Sequence, residues 1–233
     1  MNLIDLETPE NAETRFTEFL DQVRDRFEMD HVAYAGMNPV DRSIHGHVTY
    51  SDDWKAHYAD LGYQRIDPTL LKTRRSIAPV DWRRLERDAS FKAVFSDARE
   101  FGISDQGLTI PVRGPFGEIG LFSVTRDCSD DEWKKLKRSA ITGLQSVAVH
   151  MHDMVIQSSE LSRVLHYSAL SQRELEILQW TAAGKSQQDV ADILSISHRT
   201  VEVHLRSARS KLYALTTPQA VGRAIGMGLI YPE

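Results

Sequence analysis

The stretch Ser171-Gln-Arg-Glu174-Leu-Glu-Ile-Leu178-Gln-Trp-Thr-Ala-Ala-Gly184-Lys185-Ser186-Gln-Gln-Asp-Val190-Ala-Asp-Ile-Leu-Ser-Ile-Ser197-His-Arg-Thr200-Val201-Glu-Val-His204-Leu205 decides the fold of the second half of the chain. Ser171 followed by Glu174 is a capping box, in which a hydroxyl accepts from the backbone three residues ahead and the glutamate reaches back. Leu175, Leu178 and Ala182 keep helical spacing until Gly184, a residue that tolerates the left-handed backbone of a helix end. Ser186 caps a second helix carrying Val190, Ala191, Ile193 and Leu194, and Ser195-Ile196-Ser197 forms a three-residue turn. Ser197 then caps a third helix with Val201, Leu205, Ala208 and Leu212 facing inward, and Thr217-Pro218 starts a fourth with Val221, Ile225 and Leu229. The expectation is an all-α four-helix domain over residues 170–233. Its second and third helices have the form of a helix-turn-helix, with Arg199, Glu202, Val203, Arg206 and Arg209 projecting outward. A plain helical bundle with a solvated basic face has the same periodicity.

Upstream the chain changes character. Residues 170–233 hold seven basic and six acidic residues while residues 1–169 hold 21 and 27, so the net charge of −5 sits in the first part. That balance excludes a uniformly basic nucleic-acid coat or a polybasic membrane anchor, and any DNA contact must be local. A length of 233 residues suits two domains of ~100–200 residues each, and 41% apolar residues can fill their cores. The single Cys128 excludes an internal disulfide and a multi-cysteine metal cage, and it fits a reducing compartment. Met1-Asn-Leu-Ile-Asp-Leu-Glu7 has no basic region before an apolar stretch, and no uncharged apolar run reaches the ~18 residues of a membrane helix. The expectation is a soluble cytoplasmic protein with no membrane partner.

The first part reads as α+β, an α/β/α sandwich around a mostly antiparallel sheet. Thr8-Pro9 opens a helix with Phe16, Phe19, Leu20, Val23 and Phe27 on one face. Strand-like runs cover 31–37 and 46–50, and Ser51-Asp-Asp53 caps a helix that puts Trp54 and Tyr58 on one side at i,i+4. Asp67-Pro68 opens a short helix, residues 77–80 read as a strand, and residues 89–101 as a helix closed by Gly102. Residues 106–112 and 118–125 form a hairpin about Gly114-Pro-Phe-Gly117, with Pro111 requiring an edge or a bulge. A long helix from Asp130 carries Trp133, Leu136, Leu144, Val147, Met151 and Val155. Residues 158–169 lose this regularity and read as a linker between domains at 1–157 and 170–233.

Residues 170–230 closely resemble the LuxR-type DNA-binding domain. Tyr50-Ser-Asp-Asp-Trp54-Lys-Ala-His-Tyr58, Asp67-Pro68, Trp82, Gly107 and Gly120-Leu-Phe-Ser123 resemble the autoinducer-binding domain of quorum-sensing LuxR regulators over residues 15–155. One departure is the loop Gly102-Ile-Ser-Asp-Gln-Gly107, a residue longer than usual beside the expected pocket. The resemblance implies a transcription factor that takes an N-acyl homoserine lactone, needs no cofactor, and binds inverted-repeat promoter DNA as a homodimer, with RNA polymerase as a further partner. The long helix at 130–157 and the last helix are the expected dimer surfaces.

The chemistry of the lactone matches the residue types. Its carbonyls need donors, its single amide N–H needs an acceptor, and its acyl tail needs apolar lining. Trp54, donor-only, suits the lactone carbonyl; Asp67 suits the amide N–H; Tyr50 and Ser123 can donate to the amide carbonyl. Tyr58, Leu70, Trp82, Phe95, Ile110 and Leu121 are candidates for the tail. On the DNA side, Arg206 can bridge guanine, Glu202 can accept from cytosine and Val203 can pack on a thymine methyl. Lys185, Ser186, Thr200, Arg209 and Lys211 are candidates for phosphates. The pairs His45/His47 and His150/His152 lack a third ligand at metal spacing, and no Gly-x-Ser-x-Gly elbow supports an enzyme acting on acyl lactones. A ligand-independent or ligand-inhibited DNA binder is the nearer alternative.

Overall fold

The structure, a computed structural model, describes residues 12–37, 44–114, 118–158 and 170–231. The expected cap at Thr8-Pro9, the hairpin turn at 115–117 and nearly all of the linker lie outside the described residues. The chain divides into two compact units, the larger containing residues 44–113 and 119–155 and the smaller containing the C-terminal helices.

The larger unit runs α1 (Ala12–Arg26), β1 (His31–Met37), β2 (Ile44–Val48), α2 (Asp52–Asp60), α3 (Pro68–Thr73), β3 (Val80–Asp81), α4 (Ala89–Glu100), β4 (Gly107–Arg113), β5 (Ile119–Thr125) and α5 (Asp130–Gln157). Its five strands pair antiparallel in the order β2-β1-β5-β4-β3. The strands alternate, so each face of the sheet has its own core. Val32, Tyr34, Leu108, Ile110, Phe122 and Val124 turn one way, against Phe19, Leu20 and Val23 of α1 and Trp133, Leu144 and Met151 of α5. The other face meets Trp54, Trp82, Phe91, Val94 and Phe95 from the segment that carries α2, α3 and α4.

Local chemistry explains most helix starts. Ser51, Asp67 and Asp88 each accept a backbone N–H at the head of α2, α3 and α4. Pro111 lies beyond β3, which pairs only with Leu108 and Thr109, so the missing N–H faces no strand. The expected strand at 77–80 shrinks to Val80–Asp81, and β2 starts at Ile44 rather than Gly46.

The smaller unit holds α6 (Gln172–Ala182), α7 (Gln187–Ile193), α8 (His198–Lys211) and α9 (Thr217–Gly226). Capping boxes occur at Ser171/Glu174 and Ser186/Asp189, and Ser197 accepts from Thr200 N–H. The α9 cap is Thr216, with Pro218 in the first turn. Gly184 takes φ +82, the left-handed turn that ends α6. Ile177, Leu178, Val190, Val201, Leu205 and Leu212 fill the core.

Candidate functional site

On the α2–α4 side of the sheet lies a cavity of about 420 Å³, within the ~300–1,000 Å³ of small-molecule sites. All seven residues assigned to ligand binding line it: Tyr50, Trp54, Tyr58, Asp67, Trp82, Phe95 and Ser123, with Leu70 and Leu121. Ile110 does not. Strand alternation turns it, with Leu108 and Val112, into the α1/α5 core, so its expected place beside an acyl tail is corrected.

Asp67 is the cavity's acidic anchor. As the N-cap of α3 it is 7% exposed, and its Oδ1 accepts from Thr69 N–H at 2.8 Å and Thr69 Oγ1 at 2.7 Å. Its Oδ2 accepts from the Tyr58 hydroxyl at 2.9 Å. The Leu70 backbone N–H faces the same carboxylate, so the chain holds Asp67 in place at the cavity wall, where an ionised carboxylate can only accept. Burial raises the Asp67 carboxyl above its ordinary range, against the hydrogen bonds from Thr69 and Tyr58. Burial and the Asp67 charge push the Tyr50 and Tyr58 phenols well up, so both stay protonated donors at neutral pH.

Further donors line the same cavity. Trp54 is 5% exposed, packed edge-on to Tyr58 at 5.6 Å between ring centroids and against Phe101 at 5.3 Å. Among the described residues its indole N–H makes no hydrogen bond, and neither does the Tyr50 hydroxyl, and both side chains line the cavity. Ser123 reaches the cavity from β5, hydrogen-bonded to Thr109. Sequence reasoning missed the sheet floor, where Ala33, Ala35 and Gly46 expose little side chain and leave room. The alternation of small residues with Val32 and Tyr34 in β1 was the available signal. It also missed Thr69, which the Asp67-Pro-Thr spacing could have revealed as the second residue past a cap.

The loop flagged as longer forms part of the wall. Ile103 lines the cavity, and Asp105 takes Arg87 at 2.5 Å and Arg99 at 2.6 Å, which pins the loop to the α4 region. Burial opposes ionisation of Asp105, but the two guanidiniums hold its carboxyl below the usual range. Among the described residues no group of three or more His, Cys, Asp or Glu could hold a metal, and no helix is long and apolar enough to cross a membrane.

In the smaller unit, α8 sets Arg199, Glu202, Val203 and Arg206 on its exposed side. Val203 is 53% exposed, opposite the buried Val201, Leu205 and Ala208. Arg206 and Glu202 face each other at 3.1 Å across one turn. Lys185 is exposed at the start of α7 and Arg209 is half-buried. Ser186 and Thr200 have structural duties, Ser186 in its capping box and Thr200 2.8 Å from Ser197 Oγ. Lys211 departs furthest from its expected role as a phosphate contact. Its ammonium lies 2.8 Å from Glu174, whose side chain is only 4% exposed, so its charge balances a buried carboxylate within the domain. Burial opposes ionisation of Glu174, yet bonds from Lys211, Ser207 and Ser171 bring its carboxyl down to about 2.

Comparison with known proteins accounts for both units. Residues 12–155 match the family described as "Autoinducer binding domain" and residues 168–224 the one described as "Bacterial regulatory proteins, luxR family". The chain is 38% identical over 173 residues to the transcriptional activator protein RaiR of Rhizobium etli, covering 74% of this chain and 72% of that one. It is 31% identical over 216 residues to the HTH-type quorum-sensing regulator RhlR of Pseudomonas aeruginosa, covering 88% and 85%. The solved structure of SdiA in complex with octanoyl-rac-glycerol matches with a TM-score of 0.70 and 26% identity over 95% of this chain and 90% of that one.

Proposed function

The chain belongs to the LuxR family of transcription regulators with an autoinducer-binding domain, and from that premise we propose that its signal is an N-acyl homoserine lactone and that it reads inverted-repeat promoter DNA as a dimer. Such a regulator takes a signal ligand, needs no cofactor and is not an enzyme. The observation that carries the ligand reading is the opposition, within one cavity, of a single carboxylate acceptor at Asp67 to the unengaged donors of Trp54 and Tyr50 and the hydroxyl of Ser123. An acyl lactone offers the complement: one N–H for Asp67, the lactone carbonyl for Trp54 and the amide carbonyl for Tyr50 and Ser123. The tail then runs over the small residues of β1 and β2.

A second reading follows from the octanoylglycerol bound to SdiA. A monoacylglycerol presents hydroxyl donors to Asp67 and an ester carbonyl to the same donors, but no N–H. The test is to express the full chain with a panel of acyl lactones or monoacylglycerols, purify it, and identify the extracted small molecule by mass spectrometry. Recovery of a lactone in equimolar yield supports the first reading. Retention of monoacylglycerols alone, with no lactone taken up, contradicts it.

For the DNA, the reading rests on the exposed row Glu202, Val203 and Arg206 on a helix whose opposite side is fully buried. Two-fold symmetry would place two such helices at half-sites about one helical turn apart. RNA polymerase is the further partner proposed, since relatives are named as transcriptional activators, and the cytoplasm is the compartment where these partners meet.

A further inference from the structure

Behind the cavity wall runs a hydrogen-bond chain that ligand complementarity alone leaves unused, linking two lining residues, Trp82 and Ser123, through the buried Thr109. Trp82 Nε1–H donates to Thr109 Oγ1 at 2.7 Å, and Thr109 Oγ1 lies 2.8 Å from Ser123 Oγ. The three residues are 3%, 0% and 7% exposed. Strand register brings them together, since Thr109 is paired with Ser123 on one side and with Val80, two residues before Trp82, on the other. An indole N–H can only donate, so Thr109 accepts from Trp82. Among the described residues its own proton then has one hydrogen-bond partner, Ser123 Oγ. A buried hydroxyl proton without an acceptor is costly, so Thr109 donates to Ser123 and the Ser123 proton turns into the cavity.

Gly107 completes the arrangement. A Cβ there would stand 2.3 Å from Cε3 of the Trp82 ring, far inside contact distance, so only glycine leaves the indole its place against β4. We propose that Gly107, Trp82 and Thr109 are positioning residues that make Ser123 present its proton to the signal, so that the ligand must carry a carbonyl oxygen at that point. The inference rests on the proposed acyl lactone reading and adds a cause for its specificity. Trp82 thereby has a polar duty besides lining the cavity.

A double-mutant cycle in the full chain tests this. Binding is measured by titration with N-acyl homoserine lactones from butanoyl to dodecanoyl, for the wild type, Ser123→Ala, Thr109→Val and the double variant. Each single variant is expected to weaken binding by about tenfold. The double variant is expected to be no weaker than Ser123→Ala alone, because residues acting through one hydrogen bond are not additive. Thr109→Ser, which keeps the hydroxyl, should restore binding. If Thr109→Val does not accumulate as soluble protein, Trp82→Phe, which keeps an aromatic ring at the wall and removes the N–H that orients Thr109, takes its place in the cycle. A double variant weaker by about a hundredfold, the sum of independent effects, overturns the positioning role and leaves the lactone reading intact, because Ser123→Ala alone still reports the carbonyl contact. A wild type that binds none of the lactones overturns both.

Discussion

The two units of this chain solve opposite problems. The C-terminal unit closes its apolar residues into one filled core, with Ile177, Leu178, Val190, Val201 and Leu212 all at 0% exposure. The N-terminal unit builds two cores on one sheet and leaves about 420 Å³ of the second one open. A filled core is stable by itself, whereas a cavity forgoes contacts that only a guest can supply. The comparison teaches that stability in the sensor should answer to ligand and to mild acid, while the DNA-binding domain should ignore ligand and give way only in stronger acid.

The largest expected effect breaks the comparison from the DNA-binding side. Lys211→Met leaves the buried Glu174 carboxylate without its cation, which costs ~3–5 kcal/mol when one member of a buried pair is lost. Melting of residues 170–231, followed by hydrogen exchange in the full chain, should fall steeply while lactone binding holds. A variant that melts normally and loses only DNA affinity would return Lys211 to the phosphate contacts.

Acid should separate the units. Burial lowers the His152 imidazole to about 4, and it sits 2.6 Å from the Tyr34 hydroxyl in the α1/α5 core. The unfolded chain takes up a proton from about pH 6.5 downward and the folded one only near 4, so stability is complete above 6.5 and drains away as pH falls between the two. The loss is up to about 3 kcal/mol. Glu174, held at about 2, keeps its contribution until pH drops below its unfolded value of 4.5. Acid titration of the full chain should therefore loosen the sensor first, and His152→Phe should remove much of that step. Simultaneous loss of both units at one pH would contradict the ordering.

Ligand should act on the sensor alone. At a hundredfold excess over its dissociation constant, a lactone that binds only the folded sensor adds ~2.7 kcal/mol. Hydrogen exchange should slow across the β1, β4 and β5 amides and stay unchanged in α6 and α9. Equal protection in both units, or none, would remove the contrast.

The smallest effect concerns base reading. Arg206→Ala should cost ~1–3 kcal/mol and relax preference at one position of each half-site. Site selection at two salt concentrations measures this, and a uniform loss with sequence preference intact would make Arg206 a phosphate clamp.

Legibility in the sequence follows the same division. The caps at Ser171, Ser186 and Ser197 involve residues three apart, so local reading finds them, and the inward leucines and valines of α8 follow from helical period. The cavity residues Trp54, Tyr58 and Asp67 were legible because they fall on consecutive capped helices and carry the family pattern. Thr109 was not, since its role depends on cross-strand register and on an indole from a distant segment. Ile110 went to the wrong face because a neighbouring strand residue shares its hydrophobicity but not its parity. Lys211 looked like a solvated cation, and only tertiary packing revealed the buried partner 37 positions away.

The central claim is that one carboxylate, set against a few donors in a mostly apolar cavity, selects an amide ligand. Isothermal titration of wild type and Asp67→Asn with the same N-acyl homoserine lactone tests it most directly. The account predicts that Asp67→Asn loses ~1–3 kcal/mol, roughly ten- to a hundredfold in affinity, while the matching lactone ester, which lacks the N–H, binds the two proteins alike. Equal affinity of both proteins for the amide would contradict it.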